Sequence, residues 1–415
     1  MRIGVIGAGV AGLTAAYLLE KDHDVCLWEA RPRAGGHAHT VEVKMNGQFT
    51  PVDTGFLVYN ERTYPRFTRL LQQLDVETES SEMSFSIQDV ASGLEYNGHG
   101  LNELFAQRKN LFSYKFWKLL REILRFNRKA RDFLADTNRH GSLGEFLDRH
   151  GFAEIFNEKY LIPMGAAIWS SPSQDIREIP ARFFLSFFQN HGLLKIIDRP
   201  QWRTITGGSR EYVRKLTSVL GDQLQLHCPI RRVRRKADGV VVETQAGKTS
   251  LWDAVIFAVH SDQILSILDQ PRPVEQKIFS SMPYHKNRAV LHTDRSLLPV
   301  TRRAWASWNV YLDPNSPESL SVTYYVNRLQ NLESTEPLCV TLNPVRPIDP
   351  EDVIDTFEYD HPAYSRSFLR AQQRLRKRKR NHRLYFIGAW RHNGFHEDGV
   401  RSARDAVRFI QQEVD

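Results

Sequence analysis

The stretch Arg2–Gly36, RIGVIGAGVAGLTAAYLLEKDHDVCLWEARPRAGG, constrains the fold of this chain more than any other. Ile3–Ile6 is a short apolar run ending at Gly7-Ala8-Gly9-Val10-Ala11-Gly12, and Leu13–Leu19 continues at helical spacing. A strand that turns sharply into a helix through glycines is the dinucleotide-binding arrangement. Gly7 permits the tight turn, Gly9 lets backbone approach a pyrophosphate, and Gly12 lets helix and strand pack closely. The helix N-terminus at Ala11 offers unpaired N–H groups to the phosphates. Val25–Trp28 reads as the second strand, with Glu29-Ala30 at its end. Glu29 lies seventeen residues past Gly12, where a carboxylate accepts hydrogen bonds from a ribose.

A chain of 415 residues exceeds one ordinary core, and roughly two to three domains are expected. The balance of 56 Lys+Arg against 48 Asp+Glu, net +8, favours acidic partners such as anionic lipid or nucleic acid without selecting between them; for the chain as a whole a nucleic-acid partner is not expected. Cys26, Cys228 and Cys339 show no CxxC spacing, so neither a disulfide framework nor a cysteine zinc site is indicated, no metal is expected, and a reducing cytoplasm fits. Outside the fingerprint helix no uninterrupted apolar run reaches the roughly 18–20 residues of a membrane span.

Along the chain, Arg31-Pro-Arg33-Ala-Gly35-Gly36-His37 is a second glycine turn carrying positive charge, suited to the far half of a dinucleotide. Thr40–Lys44 and Phe49–Val52 read as a hairpin about Asn46-Gly47, leading to Asp53-Thr54-Gly55-Phe56, whose N–H groups could reach phosphate. Tyr64–Leu74 reads as an amphipathic helix. From Leu101 to about Leu134 the chain is helical, basic and aromatic, with Phe112, Phe116, Leu120, Ile123 and Asn127 spaced as one stripe. Between Phe105 and Arg131 nine Lys/Arg face one acid, Glu122. That composition suits either a helix on an anionic membrane surface or a core helix with a solvated basic face. Ala181–Ile197 adds a second aromatic segment that lines a greasy tunnel or fills a core.

From Trp202 an α/β pattern returns. Thr206-Gly-Gly-Ser209 opens a helix at Arg210–Leu220, and Leu224–His227, Ile230–Arg235, Val240–Thr244 and Ala254–Val259 read as strands. Ala289–Tyr325 is rich in strands and tryptophan. Arg374–Arg383 holds seven Lys/Arg and no acid, as a solvated loop would, the alternative being a phosphate-binding patch. The chain closes with a strand at Leu384–Ile387, a loop containing Gly394–Gly399, and a helix at Val400–Glu413. A second GxGxxG is absent, so electrons are expected from the substrate or through a partner rather than from a nicotinamide domain.

The fingerprint, Glu29, Arg33-x-Gly35-Gly36, Thr206-Gly-Gly-Ser, Ile230, Ala254–Val259, Phe386-Ile-Gly388 and Gly399-Val400 together resemble the FAD-containing amine oxidase and phytoene desaturase superfamily over the whole chain. More narrowly, Gly35-Gly36-His37-Ala-His39-Thr40, Ala304–Asn309, Val322–Gln330, Thr341–Pro344 and Gly394–Gly399 look like the flavoproteins associated with cyclopropane-fatty-acid synthases, to which a similar domain is fused in plants. The resemblance implies an α/β fold with a Rossmann-like FAD-binding domain (1–75, 200–268, 380–415). A discontinuous α+β substrate domain would take 76–199 and 269–379, helical over 100–199 and strand-rich over 285–345. It implies non-covalent FAD, since the covalent-flavin cysteine motif is absent.

Carried over by position, Gly7, Gly9, Ala11 and Gly12 would meet the pyrophosphate, and Glu29-Ala30 the ribose. Arg33, Gly35, Gly36, His37, Thr54 and Gly55 would border the diphosphate and ribityl chain. Ile230 would pair with adenine, and Gly388, Ala389, Gly399 and Val400 would lie against the ribityl chain and ring. His37 stands where many relatives have arginine, and Ala389-Trp390 where many have an acid. By the same resemblance His396 would project toward the flavin as base or orienter, and Arg288 would stabilise charge on reduced flavin. Trp305, Trp308 and Tyr324 are candidate pocket walls. The implied function is oxidation or desaturation of a fatty acyl chain or phospholipid by hydride transfer to flavin N5, in the cytoplasm, with peripheral contact at the inner face of the membrane left open. The alternatives are a soluble amine oxidase, or a flavin-bearing partner of a cyclopropane-fatty-acid-synthase-like methyltransferase.

Overall fold

The N-terminal apolar run is the central strand of a five-stranded parallel sheet in the computed structural model, which describes residues 1–45, 47–195, 197–315, 321–334, 336–377 and 383–414. The strand order is Leu224–Gln225, Asp24–Trp28, Arg2–Ile6, Ala254–Phe257, Leu384–Phe386. Ile3, Val5, Val255, Ile256 and Phe257 are all fully buried, as runs of apolar residues must be when a parallel sheet is covered on both faces. The helices Val10–Leu19, Arg210–Leu220 and His396–Val414 pack together on one face. Trp28 and Trp252 meet edge to face at 5.1 Å on the other, where an antiparallel sheet of Ile230–Arg235, Val240–Thr244 and Thr249–Trp252 lies. Three distant parts of the chain therefore share one sheet.

The second sheet has seven strands, in the order Val353–Pro362, Tyr284–His292, Cys339–Leu342, Ser321–Tyr325, Trp308–Leu312, Phe85–Asp89, Leu94–Asn97. Its two faces differ in chemistry. On the outer face Ser86, Asn309, Thr323, Thr341 and His292 form a buried polar ladder. Ser86 Oγ donates to Asn309 Oδ1 at 2.8 Å, Thr323 and Thr341 hydroxyls meet at 2.8 Å, and His292 Nε2 meets Thr341 Oγ1 at 2.7 Å. The 293–307 segment covers this face, held by the Glu95 carboxylate, which accepts from the N–H groups of Val300 and Thr301. The inner face is apolar over its central strands, carries Asn287, Tyr359 and His361 at one edge, and meets the helical layer of Tyr114–Ala135, Ile162–Trp169 and Ala181–Asn190. Tyr96 packs there against Phe116 at 5.6 Å, and the Tyr324 hydroxyl bonds to Ser170.

Several expected boundaries move. The basic region is broken into Leu101–Leu104, a 3-10 turn at Arg108–Phe112, and Tyr114–Ala135. Ser113 caps the long helix through its side chain, so Phe112 lies outside it and is solvent-exposed instead of heading the stripe. The buried stripe is Phe116, Leu119, Phe126, Ala130 and Phe133. The final helix starts at His396, not Val400. Arg374–Lys377 ends the helix Arg366–Lys377; the rest of the expected basic loop, 378–382, lies outside the described residues, as does Asn46 of the hairpin turn.

Candidate active site

The fingerprint forms a cradle. Helix Val10–Leu19 begins at Gly9 with no side-chain cap and no acid in its first turn, so its first N–H groups and the positive end of its dipole are free for an anion. A Cβ built on Gly9 meets nothing within 4 Å, whereas one on Gly12 falls 1.8 Å from the Gly7 carbonyl oxygen. Gly12 is thus required by packing, and Gly9 faces open space.

The second glycine turn locks onto the first. Gly35 N–H donates to the Ala8 carbonyl at 2.7 Å, and a Cβ on Gly36 (φ +60°) would lie 3.2 Å from Gly9 Cα. The Arg33 guanidinium braces this turn by donating to the carbonyls of Gly36 at 3.0 Å and Ala38 at 3.4 Å. Gly55 packs so tightly that its Cβ would stand 2.2 Å from the His37 carbonyl oxygen, and Thr54 N–H donates to His39. Glu29 accepts from the N–H groups of Ala8 at 2.7 Å and Arg31 at 2.9 Å. Cys228 N–H donates to the Glu29 carbonyl, which sets the strand opening at Ile230 beside Glu29-Ala30. The C-terminal turn closes on the same helix end: Gly399 lies against Val10, and Ser402 Oγ links the N–H of Gly388, next to Ala389, to the carbonyl of Gly399, beside buried Val400.

Asp53 has a role that no sequence motif announces. Fully buried, its carboxylate accepts from Ser209 N–H at 2.9 Å, Ser209 Oγ at 2.7 Å and Thr40 Oγ1 at 2.6 Å, tying the hairpin to the Thr206-Gly-Gly-Ser turn. Burial raises its pKa to about 6 against these donors.

A group of imidazoles stands beside the second turn. The His37 ring lies 5.7 Å from that of His260, 5.3 Å from His361 and 5.2 Å from Tyr359. His260 stacks on Tyr284 at 4.6 Å. Asn287 Nδ2 meets His361 Nδ1 at 3.0 Å, and Tyr359 shares its hydroxyl with Thr54 at 2.6 Å and His39 at 3.0 Å. Burial pushes His37 and His39 down to about 4, His260 to about 3 and His361 well below the usual value, with Arg31 adding to the effect at His37. These rings are neutral at pH 7. Nε2 of His37 and Nδ1 of His260 are buried without a protein partner. Among the described residues no three side chains converge as metal ligands.

The five other site residues fall differently. His396 stacks on Phe56 at 3.6 Å, and its Nε2 meets the Tyr212 hydroxyl at 3.1 Å; burial lowers it to about 3. That nitrogen is therefore held by a neighbouring helix. Its neighbour Phe395 sends its ring to stack on Phe187 at 4.9 Å.

Arg288 is corrected. It is exposed on the outer face of its strand, beside Pro344–Ile348, because alternation hands the inner position to Asn287.

Trp308 and Tyr324 pair edge to face at 4.9 Å on the inner face, and Trp308 Nε1 has no protein partner. Trp305 is corrected too. It packs against Tyr325 on the outer face and donates to the Pro299 carbonyl at 2.7 Å.

The Tyr324 hydroxyl bonds to Ser170, and the neighbouring Trp169 lies 4.9 Å from Phe187 and donates to the Asn393 carbonyl, while Phe187 stacks on Phe395. Apolar packing thus reaches the C-terminal turn.

The uncapped helix end at Gly9, Glu29 at the end of the second strand and the unpartnered ring nitrogens of His37 and His260 together fit a protein that binds a dinucleotide. The sequence profile of flavin containing amine oxidoreductases matches residues 10–410, so the chain belongs to that family, with FAD as cofactor. Flavin-containing amine oxidase A of Sus scrofa is 26% identical over 254 residues, 58% of this chain and 46% of that protein, so the chain matches about half the length of this curated relative. Among solved structures, wild-type putrescine oxidase bound to putrescine superposes with a TM-score of 0.71 at 14% identity, covering 99% of this chain and 99% of that one. A CLA-producing fatty acid isomerase from P. acnes gives 0.68 at 14% identity, covering 99% and 98%.

Proposed function

We propose that this chain is an FAD-dependent oxidoreductase whose substrate is a fatty acyl chain, free or in a phospholipid. The observation that carries the reading is the run of aromatic side chains Trp169, Phe187 and Phe395 leading to the C-terminal turn, set against the state of the buried carboxylates. Every buried carboxylate among the described residues is already engaged. Asp53 binds Ser209 and Thr40, Glu397 caps the helix at Arg66 and Phe67, and Asp398 accepts from Asn393 and Phe395. Asp89, Glu95, Glu122 and Glu275 hold Lys159, backbone N–H groups, Arg125 and Arg235. Each of these carboxylates is committed to a structural contact rather than presented to a substrate, whereas an acyl chain needs only apolar surface of the kind that Trp169, Phe187 and Phe395 supply. The fold is also that of a fatty acid isomerase.

When bound, FAD supplies the redox step by accepting a hydride from the substrate. The chain's own residues bind and position. The helix end at Gly9 and the two glycine turns would hold the cofactor's diphosphate, and Trp169, Phe187 and Phe395 would keep water from the substrate. The neutral histidines beside His37 offer proton acceptors that carry no charge of their own to an apolar substrate. A cyclopropane-fatty-acid-synthase-like methyltransferase is the partner this reading favours.

The test is anaerobic: purified holoprotein mixed with unsaturated fatty acids or phospholipid, or with simple amines. Bleaching of the flavin by acyl substrates alone supports the reading. Bleaching by amines alone refutes it in favour of an amine oxidase.

A further inference from the structure

The long helix buries one apolar stripe in the core and carries a mixed aromatic and basic stripe on its opposite side. Phe116, Leu119, Phe126 and Ala130 are buried. On the opposite side Tyr114, Trp117, Arg121, Leu124 and Arg128 follow one another at helical spacing, and all are exposed. The turn before the helix extends this surface: Phe112 is 91% exposed and Tyr114 77%, with Leu111 beside them. Arg108, Lys109, Lys115 and Arg121 stand exposed among them. Glu122 is buried on the other side and paired with Arg125 at 2.8 Å, so it does not offset these cations. Among the described residues no ion pair involves Lys109, Lys115 or Arg121.

We propose that this face docks the protein on an anionic lipid bilayer. Charge complementarity selects that occupant. Exposed Trp, Tyr and Phe interleaved with unpaired cations suit the headgroup level of a membrane, where rings enter the acyl boundary and cations meet phosphate. Protein interfaces share the aromatic residues and arginine but are depleted of lysine, so Lys109 and Lys115 are what favour a lipid surface. The face is backed by the substrate domain: Phe105 touches both Trp117 at 5.5 Å and Phe116 at 5.6 Å, and Phe116 meets Tyr96 on the inner face of the seven-stranded sheet. The inference stands whether or not the substrate is an acyl chain.

The experiment is co-sedimentation of the holoprotein with phosphatidylglycerol-containing vesicles and with neutral phosphatidylcholine vesicles, at low and high salt, together with light scattering of the protein alone. Binding is expected to anionic vesicles only and to weaken with salt. Lys115→Glu/Arg121→Glu is expected to reduce the bound fraction about tenfold or more, and Phe112→Ser severalfold, with flavin absorbance and melting temperature unchanged. Phe112 lies outside the helix and in solvent, so its variant tests the face even if the charge reversal disturbs the helix. No binding to anionic vesicles at low salt overturns the proposal, as does equal binding to neutral ones. So does a self-associated protein that Phe112→Ser makes monomeric without altering vesicle binding. None of these readouts uses flavin reduction, so failure here is distinct from failure of the acyl-substrate reading.

Discussion

Gly9→Ala and Gly12→Ala, three residues apart in one turn, should fail for opposite reasons. At Gly9 the backbone is ordinary, φ −75° and ψ −178°, and a Cβ meets nothing. Alanine there is expected to leave the cofactor-free protein as stable as before, or to stabilise it by about 0.4–1 kcal/mol through the unfolded chain. The new methyl enters the space required by the diphosphate. Overpacking of that kind costs about 1–3 kcal/mol, which at about 1.4 kcal/mol per tenfold corresponds to roughly 5- to 150-fold weaker FAD binding.

At Gly12 the Cβ would stand 1.8 Å from the Gly7 oxygen. Strand and helix must separate, so apo stability should fall by about 3 kcal/mol or more. The assay is urea unfolding of both deflavinated variants, followed by FAD titration of Gly9→Ala by flavin fluorescence. Wild-type FAD affinity in Gly9→Ala, or wild-type apo stability in Gly12→Ala, would refute this account of the cradle.

The histidines predict an acid limit. Because burial lowers His37 from 6.5 to about 4, the unfolded chain binds protons first. Its stabilising contribution is present above pH 6.5 and is lost as pH falls toward 4, with about 3 kcal/mol as the ceiling for this one ring. His37→Gln should flatten melting temperature against pH across that interval. In the strand Tyr284–His292, Arg288→Ala should change stability by less than about 0.5 kcal/mol and leave flavin reduction unaltered. Asn287→Leu, which unpairs His361, should alter its pH profile, read by stopped-flow absorbance. Trp308→Phe should raise KM for acyl substrate with the fold intact. Trp305→Phe should instead cost about 1 kcal/mol of stability through the lost bond to Pro299 and leave KM unchanged.

Much of the cofactor cradle was legible because its signals are local. The strand, turn, helix and second strand of Arg2–Glu29 follow from glycine placement and apolar spacing within thirty residues. The strand carrying Tyr359 and His361 left a weaker trace. Phe357, Tyr359 and His361 alternate with Thr356, Glu358 and Asp360, a period-2 pattern among residues too polar to stand out. Asn287 and Arg288 show the limit: a strand's alternation says that they face opposite ways but not which faces the site. Sequence reasoning places His396 in a loop, and its actual place at a helix start, bonded to Tyr212 from 184 residues earlier in the chain, has no local signature.

The sequence by itself thus determined the class of cofactor and the end of the fold that holds it, since glycine positions and helix termini act over a few residues. The tertiary structure alone decided which of Trp305 and Trp308 faces the substrate side, that His37 gathers His260 and His361 around it, and that the basic helix keeps a mixed aromatic and basic stripe in solvent. Those outcomes depend on the order and register of seven strands contributed from residues 85 to 362, where a shift of one residue would turn every side chain to the other face.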